Sequence, residues 1–215
     1  MSKLCVLILI GGHMKKSFKI LIALVIVILM TACSQEIFKD NTKKIELGTW
    51  QGNVYTNNFL NFKYTMPDSW KKDTNEELAE LMDTEVDTLN DNEKLSKEDG
   101  VYHFMVKDET TGDNVILLSE KDSVSSMKTY VNSLKTQLKN VTNMKYTIGE
   151  EKDETVNGIK YKTLETDCKI ESQVLKQKYY IVKNNGYFTS IIVTNVTTDD
   201  SEFMNKIINS FEKLN

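Results

Sequence analysis

The clearest fold signal in this chain is the stretch KYTIGEEKDETVNGIKYKTLETDC at residues 145–168. Asn157-Gly158 is the kind of dipeptide that most strongly favours a two-residue turn between antiparallel strands. Strand-like runs stand on both sides of it, Lys145–Thr155 before and Ile159–Cys168 after. We therefore predict a long β-hairpin here, and with it an antiparallel sheet.

Three more hairpins are predicted, two before this one in the sequence and one after it. Asn184-Asn185-Gly186 separates the next two strand-like runs, and Thr111-Gly112-Asp113 and Asn57-Asn58 separate two pairs nearer the N-terminus. In the most N-terminal pair, apolar and polar residues alternate up to Met66, and Pro67 ends the strand because it lacks an N–H donor. The predicted pairs are 49–55 with 59–66, 101–107 with 115–119, and 172–183 with 187–196.

Three amphipathic helices are predicted between and after the hairpins. Thr74 and Glu77 have the spacing of a capping box, and the apolar residues over 78–89 then form one stripe. A second helix is expected over 125–140 and a third over 199–214. The predicted fold class is α+β, an antiparallel β-sheet of hairpins with three amphipathic helices packed on its faces.

A targeting signal is predicted at the N-terminus. Lys15, Lys16 and Lys19 precede an unbroken apolar run over 20–30, and two small residues then lead to Cys33. This is the order of a secretory signal peptide, with cysteine at the cleavage position. It resembles the lipobox of bacterial lipoproteins, which implies that signal peptidase II cuts before Cys33 and that the Cys33 thiol carries diacylglycerol.

A transmembrane anchor is the alternative interpretation of the apolar run. Residues 20–32 span about 20 Å as a helix at ~1.5 Å per residue, whereas a bilayer crossing needs roughly 20 apolar residues. The run is therefore too short to cross a membrane and has the length of a signal-peptide core.

Two start sites remain open. Residues 1–13 contain their own apolar stretch, and Gly11-Gly12 lie just before Met14. A ribosome-binding sequence upstream of a start codon encodes Gly-Gly when it is translated in frame. One hypothesis is that translation begins at Met14, and the other is a longer signal that begins at Met1. The signal peptide is residues 1–32 in the second hypothesis and only residues 14–32 in the first, and in both Cys33 becomes the mature N-terminus.

The rest of the chain divides into a tether and one domain. Residues 33–47, which begin with the lipidated cysteine, are polar and lack a sustained hydrophobic period, as is typical of a flexible connection. The domain is predicted over 48–215. We expect it at the outer face of the cell membrane, anchored by the Cys33 lipid.

Motifs spread along this domain resemble those of PsbP/Mog1-like domains. The stretch 61–70, NFKYTMPDSW, resembles their F-x-aromatic-x-x-P-x-x-W motif, and 156–161, VNGIKY, is similar to one of their hairpins. The segment from Tyr179 to Phe211 resembles the end of these domains. The resemblance covers most of the domain and implies their fold and a non-enzymatic partner or accessory role. Photosystem binding is not carried over, because the acidic, lysine-only composition and the lipoprotein signal match only the bacterial branch of the family.

Charge and cysteine content exclude several classes of function. The chain has no arginine, and 23 lysines and all 31 acidic residues follow Cys33, so the mature part has a net charge of −8. A protein this acidic has no electrostatic footprint for nucleic acid. Cys168 is the only cysteine of the domain, so we expect the fold to hold without an internal disulfide.

No catalytic set emerges from the residue types. After cleavage His103 is the only histidine, so a Ser-His-Asp triad or a dyad with Cys168 must use it. No G-x-S-x-G sequence supplies a nucleophilic serine. A hydrogen-bonded structural histidine and a small buried cysteine are the better interpretations of the two residues.

No metal or other cofactor is predicted either. One histidine and one cysteine do not make a zinc site, which needs three or four ligands. Calcium could use the acidic stretch 83–99, but this stretch lacks the D-x-[DN]-x-[DN]-G order of a calcium loop. A solvated helix end and loop is the better interpretation of its polar cluster, Asp87, Asn90, Asp91 and Glu93.

We predict an accessory or binding module of the cell envelope and not an enzyme. Its expected partners are the membrane, through the Cys33 lipid, and a membrane or cell-wall protein. One alternative is a cell-envelope enzyme with two dispersed carboxylates, which leaves no linear motif. The other is a small-ligand receptor, which needs a concave pocket of about 300 Å³ or more, and we do not expect one in a single compact domain. Two facing carboxylates in a deep cleft would favour the enzyme, whereas a shallow surface would favour binding.

Overall fold

The computed structural model describes residues 44–124, 126–142, 144–170, 173–196 and 201–214. They form two antiparallel sheets and five helices, which confirms the predicted α+β fold. The strands are β1 (Thr49–Gln51), β2 (Val54–Asn57), β3 (Phe62–Thr65), β4 (Lys71–Lys72), β5 (Gly100–Lys107), β6 (Asn114–Lys121), β7 (Lys145–Val156), β8 (Ile159–Ile170), β9 (Gln173–Asn184), β10 (Tyr187–Asn195) and β11 (Phe211–Lys213). The helices are α1 (Asn75–Leu81), α2 (Val86–Leu89), α3 (Asn92–Leu95), α4 (Met127–Lys139) and α5 (Ser201–Asn209).

The larger sheet has seven strands in the order β4-β5-β6-β10-β9-β8-β7. The predicted hairpins β7–β8 and β9–β10 both close with turns of positive φ, 48° at Asn157 and 77° at Gly158, then 49° at Asn185 and 80° at Gly186. Two successive residues of positive φ make a type I′ turn, and Asn-Gly adopts that conformation easily. These hairpins and the β5–β6 hairpin therefore confirm the prediction.

The prediction for residues 49–55 is wrong, because they do not form one strand. Gly52 has a φ of 60° and turns the chain between β1 and β2, a conformation that costs little without a Cβ. Strand β2 then pairs with β3, so three short strands replace the predicted two. With β11 they make a separate sheet in the order β1-β2-β3-β11, which we call the small sheet.

The first predicted helix begins as expected and then breaks. The capping box is present, since Glu77 N donates to Thr74 Oγ1 at 3.2 Å and Thr74 N donates to Glu77 Oε2 at 2.8 Å. The apolar stripe does not continue as one helix, because Asp83 has a φ of 51° and Thr84 N–H bonds back to the Ala79 carbonyl. This is a Schellman end, which terminates α1 and leaves α2 and α3 as separate turns. The described part of the chain therefore has five helices where three were predicted for the domain.

The last predicted helix is also too long. Helix α5 ends at Asn209, and Phe211 begins β11, where it pairs with Tyr64 of β3. The rings of Phe211 and Tyr64 stack with centroids 4.4 Å apart. Apolar spacing alone could not distinguish these end residues from helix, because their strand partners lie about 150 positions earlier in the sequence.

The two faces of the larger sheet carry different layers. The face that we call the small-sheet face bears Phe104, whose ring stacks on Tyr64 with centroids 5.2 Å apart. The opposite face, which we call the α4 face, bears Phe188, which stacks on Tyr130 of α4 with centroids 4.3 Å apart. Helix α5 packs against β10 and leads into β11. Helix α4 therefore lies across one face from β10 to the edge strand β7, where Lys135 pairs with Glu151, and the small sheet lies over β5 on the other face.

Candidate functional site

A groove of about 460 Å³ lies beside α5 on the small-sheet face. It crosses β7, β8, β9 and β10. Exposed residues such as Thr147 and Gly149 form its rim, whereas Asn195 and Met204, which also line it, are buried. The residues that line it are Thr147, Gly149, Glu165, Thr166, Asp167, Lys176, Gln177, Lys178, Asn195, Met204 and Asn205.

Two cross-strand ion pairs form the floor of the groove. Lys176 Nζ lies 3.1 Å from Asp167 Oδ1, and Lys178 Nζ lies 3.2 Å from Glu165 Oε1. Both pairs join residues directly opposite each other on β8 and β9, which places their side chains on one face of the sheet. Lys178 also lies 2.9 Å from Glu154 Oε1. The floor therefore presents alternating positive and negative groups at the spacing of a β-sheet.

A β-bulge opens the β7 side of the groove. The β7–β8 register runs from Ile148 opposite Thr166 to Glu151 opposite Leu164, so Gly149 and Glu150 together oppose Glu165. A Cβ on Gly149 would lie 3.1 Å from the Glu165 carbonyl oxygen, which is closer than ordinary contact. Bulges often occur next to binding sites, where they interrupt pairing and redirect side chains. At the Gly149 bulge no side chain stands between solvent and Glu165, whose side chain is 56% exposed.

A second polar cluster, centred on His103, is buried between the sheets. His103 is the extra residue of a bulge in β5, and its ring lies toward the small sheet. Its Nε2 is 2.9 Å from Ser119 Oγ, and its Nδ1 is 3.3 Å from Asn57 Nδ2. Ser119 Oγ in turn lies 2.9 Å from Thr189 Oγ1. Burial lowers the pKa of His103 from 6.5 to about 3, so the ring is neutral.

The residue types of a nucleophilic triad are present in Ser119, His103 and Asn57. However, the hydrogen bonds place the His103 proton on the nitrogen that faces the serine, so the ring cannot accept the serine proton. The Asn57 amide is oriented by Leu60 N–H, which donates to its Oδ1 at 2.8 Å. Its Nδ2 therefore donates to His103 Nδ1, which leaves the ring proton on Nε2 and directed at Ser119. A general base needs an unprotonated Nε2 toward the serine. The cluster is a structural network, which confirms the hydrogen-bonded interpretation of His103.

Cys168 lies far from His103, so the structure excludes the dyad. Cys168 is buried with its Sγ 3.7 Å from Met144 Sδ, in a small apolar cluster with Leu175. Three strands separate β8 from β5, which at about 4.8 Å per strand places the two strands ~19 Å apart. Burial raises the pKa of the Cys168 thiol, and this opposes formation of a thiolate. The interpretation of Cys168 as a small buried residue is confirmed.

Glu120 is a carboxylate whose pKa is raised to about 7 by its surroundings. It lies on the α4 face, where Tyr130 Oη donates a hydrogen bond to Oε2. Burial raises the pKa of Glu120 from 4.5 to about 7, although the Tyr130 bond acts in the opposite direction. Its neighbour on β10 is Phe188, and Asp122 nearby is paired with Lys183. Glu120 therefore holds its proton near neutral pH and lies across the sheet from the groove.

The acidic stretch considered for calcium is used within the fold. Asp91 caps α3, since its Oδ1 accepts from the N–H groups of Glu93 and Lys94. Glu93 pairs with Lys44 at 2.6 Å, and Asn90 Nδ2 is 3.5 Å from the Val86 carbonyl. Over the ranges that the structure describes, no group of three or more His, Cys, Asp or Glu residues is placed to hold a metal ion.

The targeting residues lie outside the described part of the chain. Cys33, Lys15, Lys16 and Lys19 all precede residue 44, so their roles stay predictions. In the described segments, none of the helices combines the length and apolar character that crossing a bilayer requires.

Sequence reasoning missed the groove, although one signal of it was readable. An isolated glycine within a strand pattern indicates a bulge or a close backbone approach, and Gly149 is such a residue. The ion pairs could not be predicted from the sequence, because Asp167 lies opposite Lys176 only in the observed β8–β9 register. The expectation that a single compact domain offers no concave site is wrong, since the groove has a volume of about 460 Å³.

The chain is thus an α+β domain built on a seven-stranded antiparallel sheet with a smaller second sheet. No family model and no curated protein sequence matches it. Solved structures similar to it include the cyanobacterial PsbP protein (CyanoP) of Synechocystis sp. PCC 6803, at 11% identity and a TM-score of 0.49, covering 86% of this chain and 98% of that one.

Two more distant structures also share part of this architecture. A protein of Bacteroides thetaiotaomicron has 12% identity and a TM-score of 0.44 over 77% of this chain and 50% of its own. LpqN of Mycobacterium tuberculosis, a protein involved in cell envelope biogenesis, has 12% identity and a TM-score of 0.38 over 72% of this chain and 83% of its own.

Proposed function

We propose that this protein is a lipid-anchored accessory module of the cell envelope that binds its partner through the groove on the small-sheet face. The predicted lipid on Cys33 holds the domain at the outer surface of the cell membrane. Ile45 is already buried in the core, so the free tether is residues 33–43 and lets the domain reach about 36 Å from its anchor at ~3.3 Å per residue.

The groove is the observation that carries this proposal. Its floor is made of paired charges, of which Lys176, Asp167 and Glu165 are 37%, 42% and 56% exposed, whereas Lys178 is 13% exposed. Its volume of about 460 Å³ is within the range of ligand sites, roughly 300–1,000 Å³. A partner can therefore reach ready-made polar groups without any rearrangement of the core.

An enzyme with dispersed carboxylates is the competing proposal, and Glu120 favours it. A carboxyl group with a pKa of about 7 is suited to general acid–base chemistry. However, Tyr130 and Phe188 stack beside it and occupy the space that a substrate would need. In the groove, Glu165 and Asp167 are each held by a lysine, which suits recognition better than proton transfer.

Site-directed photo-crosslinking in intact cells tests the proposal. A photoreactive residue at Thr147 on the groove rim should give a discrete adduct with one envelope component. The same residue at Glu80, which is exposed on α1, is the matched control and should not give that adduct. The Thr147 adduct should also disappear in the Cys33→Ser background. Identical adducts from both positions would show that the groove is not the binding surface.

A further inference from the structure

From the charge pattern of the groove we infer that its ligand is a short zwitterionic peptide of two or three residues. This inference rests on the proposed binding function of the groove and adds the chemistry of the ligand. Its ammonium group would bind at Glu165 and Asp167, and its carboxylate at Lys176, which is 37% exposed. Lys178 is only 13% exposed and is held by both Glu154 and Glu165, so it contributes charge to the floor without direct contact.

The existing ion pairs select against ligands of a single charge. An anion that binds Lys176 alone must displace Asp167 from 3.1 Å or lie beside it, which brings two negative groups together. A cation that binds Asp167 meets Lys176 in the same way. Like charges this close, in a partly desolvated groove, oppose binding. A ligand with both charges can exchange partners with a pair and leaves each protein group facing an opposite charge.

The spacing of the pairs sets the length of the ligand. Glu165 and Asp167 are two residues apart on β8, about 6.8 Å at ~3.4 Å per residue. A diagonal from Glu165 to Lys176 adds one strand spacing of about 4.8 Å, which gives a separation of ~8 Å. The terminal charges of an extended di- or tripeptide lie about 7–10 Å apart at the same rise per residue.

The walls of the groove suit a peptide backbone. The bulge at Gly149 and Glu150 interrupts the β7–β8 register, and Gly149 brings backbone without a side chain to the edge of the groove. On the other side Met204 supplies an apolar surface and Asn205 a side-chain amide. The site therefore offers charge at the ends of a peptide and polar and apolar contacts along it.

Calorimetric titration of the full chain in detergent micelles with three peptides tests this inference. The probes are trialanine, which carries both charges, N-acetyl-trialanine, which keeps only the carboxylate, and trialanine amide, which keeps only the ammonium. We expect trialanine to bind at least about tenfold more tightly than either analogue. Equal affinities for all three, or no trialanine binding up to ~10 mM, would overturn the inference.

Two lysine variants locate the binding. Lys176→Met should weaken trialanine binding by about tenfold, since it removes one charge of the floor. Lys162→Met is the matched control, because Lys162 pairs with Asp153 between β7 and β8 but on the α4 face. Equal losses in both variants would contradict binding in the groove. If Lys176→Met does not fold, the comparison of the three peptides on the unaltered chain still decides the question.

The result is independent of the crosslinking test. If trialanine fails while Thr147 still gives its Cys33-dependent adduct, the peptide chemistry is wrong and the binding role stands. If trialanine binds and Thr147 gives no specific adduct, the groove binds peptides but is not the contact with an envelope component.

Discussion

The side-chain Nδ2 of Asn157 donates a hydrogen bond to the carbonyl oxygen of Phe211 at 2.7 Å. A second bond from the same amide reaches the Asn209 carbonyl at 3.0 Å. The other two-residue turn makes a similar link, since Asn185 Nδ2 donates to the Phe59 carbonyl at 2.6 Å. The residues that favour tight turns in the larger sheet therefore also tie it to the small sheet.

Asn157→Gly should lower the free energy of unfolding by about 1–3 kcal/mol. Glycine keeps the positive φ of 48° but removes both hydrogen bonds to the C-terminal segment. Asn157→Ala should cost about 1 kcal/mol more, because alanine is strained at this φ. Urea unfolding followed by circular dichroism measures both.

Asn61→Gly is the matched control for the Asn157 variant. Asn61 also has a positive φ, 60°, and is exposed like Asn157, but within the described residues its side chain makes no hydrogen bond. We expect its unfolding free energy to change by less than about 0.5 kcal/mol. An equal effect at both positions would mean that glycine flexibility, and not the lost bonds, explains the result.

His103 should make the protein less stable as the pH falls below about 6.5. Burial lowers the pKa of His103 to about 3 in the folded protein, so below 6.5 the unfolded chain binds a proton that the folded one does not. Unfolding then becomes easier by up to about 1.4 kcal/mol per pH unit until the pH approaches 3.

His103→Gln isolates this contribution. Glutamine can still accept from Asn57 and donate to Ser119, but it does not titrate. We expect the variant to be less stable than the native protein at pH 7 and the difference to shrink between pH 6.5 and 5. A difference that stays constant over this range would contradict a buried neutral histidine.

Glu120→Gln should stabilise the protein at pH 8 by up to about 3 kcal/mol. Burial raises the pKa of Glu120 from 4.5 to about 7, so the folded state binds a proton between these values that the unfolded state does not. Stability from this group is therefore fully present below pH 4.5 and is lost as the pH rises through 7. Glutamine remains neutral and can still accept from Tyr130.

The pH dependence of the Glu120 effect distinguishes it from a general change of surface charge. The gain from Glu120→Gln should disappear near pH 4.5, in chemical denaturation curves measured from pH 4.5 to 8. Glu212→Gln removes a carboxylate from an exposed ion pair with Lys63 and should change stability by less than about 1 kcal/mol. A gain at position 120 that does not vary with pH would rule out a raised pKa.

The parts of the fold that were predictable depend on local chemistry. Asn157-Gly158 specifies a turn within two residues, and Thr74 with Glu77 specifies a helix start within four. Both are present in the structure. The break at Asp83 was not predictable in the same way, because asparagine or aspartate adopts positive φ only where the surrounding structure favours it.

The parts that were missed depend on contacts between distant residues. His103, Ser119 and Asn57 meet only when β2 of the small sheet lies over the bulge of β5. Composition identified His103 as the only candidate histidine of the mature chain, but tautomer and burial follow from its neighbours. The groove likewise exists only in the assembled sheet, where Lys176 lies opposite Asp167.

Cys33→Ser should abolish lipid attachment and release the domain from the membrane or leave it unprocessed. The serine hydroxyl cannot form the thioether that holds diacylglycerol, and signal peptidase II acts on the lipidated cysteine. Metabolic labelling with radioactive palmitate, followed by membrane fractionation, measures attachment and location together.

Cys5→Ser is the matched control and should retain full labelling, because residue 5 precedes the predicted cleavage site whether translation begins at Met1 or Met14. Labelling that depends on Cys5, or a mature-sized Cys33→Ser protein that still sediments with membranes, would refute the lipoprotein assignment. The proposed binding role of the groove would then need a different explanation of how the domain meets its partner, since that proposal relies on the predicted anchor to confine the domain to the envelope surface.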